Sequence, residues 1–295
     1  MSSPKDALDP RLQARQPTVQ TSIRTRLLLL LLALTTLSVL IVGYMAFNSI
    51  RSFGESARQT SAGALRDQAE EALRQLAVEE ARRTDLVLDA VRQDTQRVAQ
   101  YAARVFSAPD VFADRAYWQA QDRMFVADGG QYKNDKTDVS SAFVPDFVEV
   151  DENVLETLEL GAYLDFVFAP TYEGNANAVA VYLGTEQETT QYHPNIDLGA
   201  VVPPGFQVTQ RPWYIGTTPD ENPERNTVWS PVYLDATGKG LLVTASSPVY
   251  SSEDDFLGVV GIDVTLDNIA ASVEEARVLG DGYAFLLDAE GNAIA

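Results

Sequence analysis

Residues 27–47 form an unbroken apolar run, LLLLLLALTTLSVLIVGYMAF, 21 residues without a charge. As a helix it would be about 32 Å long, enough to cross a hydrocarbon core of roughly 30 Å. Thr35, Thr36 and Ser38 interrupt it only mildly, because their hydroxyls can bond back to the helix backbone. The pattern then changes. Residues 48–106 contain no proline, are rich in Ala, Gln, Glu, Arg and Leu, and hold nine basic and nine acidic residues. Such a composition favours helix, and Leu65, Ala69, Ala72 and Leu76 recur at helical spacing. Gly54 or Gly63 could interrupt it. A solvated stalk and a helix packed on a domain are both compatible with that periodicity. Residues 107–160 mix aromatics with acidic loops and predict one short helix over Asn153–Leu160. Beyond them strand patterns dominate: Leu164–Ala169, Ala178–Leu183, Thr227–Tyr233, Leu241–Tyr250 and Phe256–Val264, with a short amphipathic helix over Leu266–Ala276. Asp235-Ala-Thr-Gly238 reads as a hairpin connection. A long helix, a loop-rich region and an antiparallel meander predict an α+β domain with a central sheet.

Charge orients the apolar run. Arg24 and Arg26 abut its N-terminal end, and basic residues favour the cytoplasmic side. Residues 1–26 carry a balance of +3 while the chain as a whole is at −20, so the remainder stands at −23. That remainder would repel a polyanion, which argues against nucleic acid as a partner. The run is too long, and Gly-Tyr-Met-Ala-Phe-Asn-Ser too poor a cleavage site, for a signal peptide to be the better reading. The expected organisation is a cytoplasmic tail over 1–26, a membrane span over 27–47, a long extracytoplasmic helix over 48–106, a globular module over 107–276, and the start of another module over 277–295. Gly282–Asp288 reads as a strand of that second module, and Ala295 falls where its next strand would begin, which predicts that the module is cut short.

Cysteine is absent and His193 is the single histidine. Thiolate and multi-histidine metal sites are therefore excluded, and a Ser-His-Asp arrangement is disfavoured. Neither a metal nor a cofactor is implied. The most pointed chemistry lies between Arg211 and Asp263. From Val105 onward only eight basic residues occur, and one of them, Arg211, opens Arg-Pro-Trp-Tyr214. Its guanidinium is a forked donor that matches a carboxylate. Asp235, in Tyr233-Leu-Asp235, and Asp263, in Gly-Val-Val-Gly-Ile-Asp263, offer acceptors for an ammonium. Trp213, Tyr214 and Tyr233 offer walls and π surfaces. Each residue also has a plainer reading: Asp235 can set its hairpin turn, Asp263 can cap a strand end, and the aromatics can be core. Gly238-Lys-Gly240 is not a phosphate loop, lacking the preceding glycine and the hydroxyl residue after Lys239.

These elements together resemble the double Cache sensor domain of bacterial and archaeal transmembrane receptors. The residues that carry the resemblance are Val181-Tyr-Leu-Gly-Thr185 followed by Tyr192-His-Pro194, Arg211-Pro-Trp-Tyr214, Trp229-Ser-Pro-Val-Tyr233-Leu-Asp235, Leu241–Tyr250 and Leu257–Asp267. The resemblance implies a PAS-like antiparallel sheet packed on the long helix, a homodimer in the membrane, a cytoplasmic signalling module beyond this chain, and a role in signal transduction such as chemotaxis. Within the amino-acid-sensing subset it implies that Arg211 and Trp213 engage a ligand carboxylate, that Tyr214 lines the same pocket, and that Tyr233, Asp235 and Asp263 surround the amine. One position departs from the pattern: Phe206 stands where the family motif has a tyrosine, five residues before the arginine. Sensors of amines, purines or carboxylates remain alternatives. A membrane-anchored enzyme lacks a credible nucleophile–base pair, and an adhesion module would show an exposed apolar patch without an enclosed pocket.

Overall fold

The structure, a computed structural model, describes residues 22–113 and 117–269. The chain divides into two compact units, Met1–Ala72 and Leu73–Ala295. Helix α1 (Ile23–Phe106) has residues in both. In the first unit its apolar residues are exposed, Leu30 at 69% and Ile41 at 50%, for example, and the segment is long and apolar enough to be a candidate membrane span. Thr35, Thr36 and Ser38 return their hydroxyls to Leu31, Leu32 and Leu34 carbonyls at 2.8–3.0 Å, so these three hydroxyls are satisfied within the helix. Gly54 and Gly63 do not break the helix.

In the second unit α1 buries Val91, Thr95, Val98, Ala102 and Val105, spaced four and three residues apart along one face. The packing face therefore lies beyond the Leu65–Leu76 periodicity, where Leu65 is exposed. The elements that follow are α2 (Pro109–Ala113), α3 (Ala120–Arg123), β1 (Met124–Val126), β2 (Tyr132–Asn134), β3 (Ser141–Val144), α4 (Glu152–Ala162), α5 (Asp165–Gly174), β4 (Ala180–Thr185), β5 (Thr190–His193), α6 (Leu198–Val201), α7 (Pro212–Ile215), β6 (Val228–Trp229), β7 (Tyr233–Leu234), β8 (Leu241–Tyr250) and β9 (Phe256–Thr265). The strands form one antiparallel sheet in the order β1-β2-β3-β5-β4-β9-β8-β6, with β7 also on β8. This is the expected antiparallel α+β architecture, although the return of β4 to pair with β9 makes it more than a meander.

Three sequence expectations are corrected. Leu164–Ala169 is not a strand: Asp165–Gly174 is helical, with Leu164 and Phe168 fully buried four residues apart. Thr227–Tyr233 is not continuous, because Ser230-Pro231 separates β6 from β7 and a proline cannot donate to the ladder. Strands β1–β3 fall in the stretch read as loop and short helix. Residues 266–269 are helical as expected, while the rest of Leu266–Ala276 and the whole of Gly282–Asp288 lie outside the described residues.

Alternation along the central strands gives the sheet two different sides. Val181, Leu183, Val260, Ile262 and Val264 join Val91, Val98, Val105, Leu164 and Phe168 in a dry core. Burying a valine or leucine side chain fully contributes roughly 1.5–3 kcal/mol. Ala180, Tyr182, Tyr192 and Val259 face the other way, toward Leu198, Val208, Trp213 and Tyr214.

Candidate functional site

On that second side the sheet carries a cleft of about 370 Å³, including its open mouth, lined by Arg211, Trp213, Phe206, Tyr233, Asp235 and Asp263 among others. Asp263 is its buried centre, 2% exposed. It sits mid-sheet on β9, opposite Ala180 of β4 and Thr244 of β8. Its Oδ1 accepts from the Tyr182 hydroxyl at 2.5 Å and from Thr244 Oγ1 at 2.7 Å. Tyr233 Oη and Thr244 Oγ1 are 2.7 Å apart and extend the chain of hydroxyls. The other oxygen, Oδ2, accepts no hydrogen bond among the described residues. Burial pushes the Asp263 carboxyl up to about 6, against the downward pull of Tyr182, Thr244 and the Lys239 ammonium.

Arg211 is positioned by its successor. A residue before proline is held extended, and Arg211, at φ −81° and ψ 145°, caps α7 from that conformation. Its Nη2 donates to the Leu234 carbonyl at 3.3 Å. Its guanidinium carbon lies 5.6 Å from the Phe206 ring centroid and 5.5 Å from that of Tyr233. Phe206 thus keeps an aromatic face on the guanidinium without offering a hydroxyl. Among the described residues Arg211 forms no ion pair, which leaves most of its donors available to an anion. Trp213 is buried and meets Tyr182 edge-on at 4.7 Å.

Asp235 sets its hairpin turn and also lies on the cleft. Oδ2 accepts from Thr237 Oγ1 and from the Lys239 amide at 3.0 Å, which fixes the hairpin turn. The carboxylate also lines the cleft, and its Oδ1 accepts no bond among the described residues. Tyr214 is the departure. It does not line the cleft but packs behind it, edge-on to Trp213 at 5.7 Å and to Phe256 at 6.1 Å. On a helix, neighbours point about 100° apart, and here Trp213 takes the cleft side while Tyr214 turns toward Phe256.

Several lining residues were missed by sequence reasoning. Tyr182 and Tyr192 stack at 5.4 Å on adjacent strands, and Thr190 has a buried hydroxyl with no partner among the described residues. The strand alternation Thr190-x-Tyr192 could have placed both on the cleft side. Lys239, set aside with its flanking glycines, donates to Tyr192 Oη and, at 3.0 Å, to Thr237 Oγ1. A second cation thus stands against the wall of the cleft, held by two of its lining residues. The positive φ of Gly238 and Gly240, 89° and 88°, folds the hairpin so that Lys239 turns back toward the cleft.

His193 lies elsewhere, on the helix side of β5. Its Nδ1 is 3.1 Å from the Val139 carbonyl and 3.3 Å from Ser140 Oγ, while Ser140 donates to Asp165 at 2.5 Å. A ring nitrogen facing a carbonyl carries the proton and cannot take another from Ser140. The three residues are close but wired as a buried structural network, not a nucleophile and base.

Comparison with known proteins points one way. Residues 149–271 match the family model described as "Methyl-accepting chemotaxis protein-like, first PDC sensor domain". The methyl-accepting chemotaxis protein McpA of Pseudomonas putida is 36% identical over 126 residues, 42% of this chain and 18% of that protein. McpC of Bacillus subtilis is 33% identical over 116 residues, 39% of this chain and 16% of that protein. The matches thus span less than a fifth of either relative. The ligand-binding domain of the Pseudomonas fluorescens chemoreceptor CtaA, solved with L-valine, aligns at a TM-score of 0.33 and 25% identity over 42% of this chain and 51% of that one; at that score the likeness carries no argument. The family match over residues 149–271, the sequence relatives, and the antiparallel sheet packed on a long helix identify this region as a Cache-type sensor domain of the chemoreceptor kind.

Proposed function

We propose that this domain senses a small zwitterion, an α-amino acid or close analogue, and performs no chemistry on it. Arg211, with Trp213 beside it, would clamp the carboxylate, while Asp263 and Asp235 would hold the ammonium between the rings of Tyr233, Tyr182 and Tyr192. The observation that carries this reading is the pairing of opposites within one aromatic cleft. A guanidinium without an ion pair stands in the same cleft as a buried carboxylate that has one oxygen unbonded. Burying a carboxylate is unfavourable unless it is paired, and an incoming ammonium would supply the pair. An ammonium and a carboxylate on one small molecule satisfy both ends.

Residues 27–47 would anchor the domain with its N-terminus in the cytoplasm, as Arg24 and Arg26 favour. Binding would shift the sheet against the buried face of α1, and a displacement of packed helices is an established switching mode. A homodimer and a cytoplasmic output, such as a chemotaxis module, complete the proposed receptor. Calorimetry on the detergent-solubilised chain with the twenty L-amino acids tests the binding step. Arg211→Ala is expected to weaken the best binder at least thirtyfold, about 2 kcal/mol. Unchanged affinity would remove Arg211 as the carboxylate clamp.

A further inference from the structure

A fourth fixed charge stands beside the cleft, on a residue that does not itself line it. Lys239 is half-buried, and its ammonium is held by Tyr192 and Thr237, two residues that line the cleft. It lies 4.8 Å from the Tyr192 ring centroid. It pairs directly with neither aspartate, yet both act on it: burial lowers the Lys239 pKa while Asp235 and Asp263 raise it. Two cations and two carboxylates therefore stand in or against the wall of one aromatic cleft, and their formal charges cancel.

We propose that Lys239 is a specificity-determining residue, which balances the cleft's charge so that a net-neutral zwitterion is preferred over a cationic amine of the same shape. The inference rests on the amino-acid reading above and deepens it. With Lys239 in place, a zwitterion leaves the cleft neutral, whereas an amine lacking the carboxylate adds an unmatched positive charge. Without Lys239 the cleft carries one net negative charge, and a monocation restores neutrality as well as a zwitterion preserves the original balance. Fixed charges in a partly desolvated cleft interact far more strongly than in water, so one cation is enough to reorder such a preference. Tyr192 and Thr237 hold the ammonium through hydrogen bonds, which keeps it beside the carboxylates rather than in solvent. Selecting against the wrong partner by an added like charge is a general route to specificity.

The test is calorimetry on the full, detergent-solubilised chain, with each of the twenty L-amino acids and its carboxamide, which keeps the ammonium and loses the negative charge. The wild-type chain should bind its best amino acid more tightly than the matching carboxamide. Lys239→Gln should narrow that gap at least tenfold, chiefly by tightening the carboxamide, and Lys239→Arg should restore it. Lys239→Met, which retains the apolar stem, serves as a second neutral variant should the first lower the melting temperature. A purely structural role for Lys239 would weaken both ligands together and leave their ratio where it was. An unchanged ratio in both neutral variants overturns the proposal while leaving the amino-acid site intact. Absence of binding by all twenty amino acids to the wild-type chain overturns the site reading and this proposal with it.

Discussion

The two sides of strands β4 and β9 differ sharply in chemistry, although they share one backbone. Toward the helices the strands present Val181, Leu183, Val260, Ile262 and Val264, in a largely apolar core. Toward the cleft they present Tyr182 and Asp263, joined by hydrogen bonds and by a carboxyl that burial holds near 6. The period of two along a strand makes this possible. One side can be optimised for packing while the other carries a costly buried charge, and successive residues such as Ile262 and Asp263 can have opposite effects on stability.

The sharpest way to break the comparison is to exchange the sides' properties by mutation. Ile262→Ala leaves a cavity in the dry core, fully buried as Ile262 is. It should destabilise the domain by about 2–5 kcal/mol while amino-acid affinity of the folded fraction stays near wild type, as read by denaturant titration and calorimetry. A large loss of affinity without a loss of stability would mean the sides are not separable.

Asp263→Asn should do the reverse. It should weaken amino-acid binding about a hundredfold, a change near 3 kcal/mol, yet raise stability at neutral pH. The sign follows from linkage. The folded pKa of Asp263 lies above its ordinary 3.8, so the folded chain holds the proton more tightly than the unfolded one, and stability contributed by this group falls as pH rises from about 4 to about 6. A shift of roughly two units corresponds to about 3 kcal/mol at most, which the amide would recover. A lower melting temperature for the variant at neutral pH would contradict the assignment of Asp263 as a buried charge held for binding.

The smallest effect sharpens the comparison without mutation. Only the deprotonated carboxyl pairs with an ammonium, so amino-acid affinity should rise about tenfold between pH 5 and pH 7, with a midpoint near 6. Asp263→Asn should flatten that profile. A wild-type profile already flat over this range would place the amine elsewhere.

How much was legible beforehand depended on how strongly each stretch was patterned. Strands β8 and β9 were readable to within a residue because Leu241–Tyr250 and Phe256–Thr265 are long and rich in β-branched residues. Strands β1–β3 span only three or four residues each, too short for alternation to emerge, and they exist because longer neighbours give them a ladder to join. Leu164–Ala169 misled for the opposite reason: its apolar density suits a buried strand or a buried helix equally, and only the packing of Leu164 and Phe168 chooses helix. Arg211, Asp235 and Asp263 were legible as a set because cations are scarce in this half of the chain. Lys239 was not, since nothing local says that a hairpin with two left-handed glycines turns its lysine back onto Tyr192 at the cleft wall. Tyr214 was misplaced because adjacency in sequence is not adjacency on a helix surface.

Gly261 stands opposite Tyr182 in the ladder, and a methyl group there would come within 2.4 Å of the tyrosine ring and 2.9 Å of its hydroxyl oxygen. The absent side chain is thus the mould into which the ring is cast, and the ring in turn orients the carboxylate at 263. A screen that varied only cleft-facing side chains would pass over this position. Yet even an alanine there would have to tip the ring aside, and the proposed binding would be lost through a residue outside the cleft.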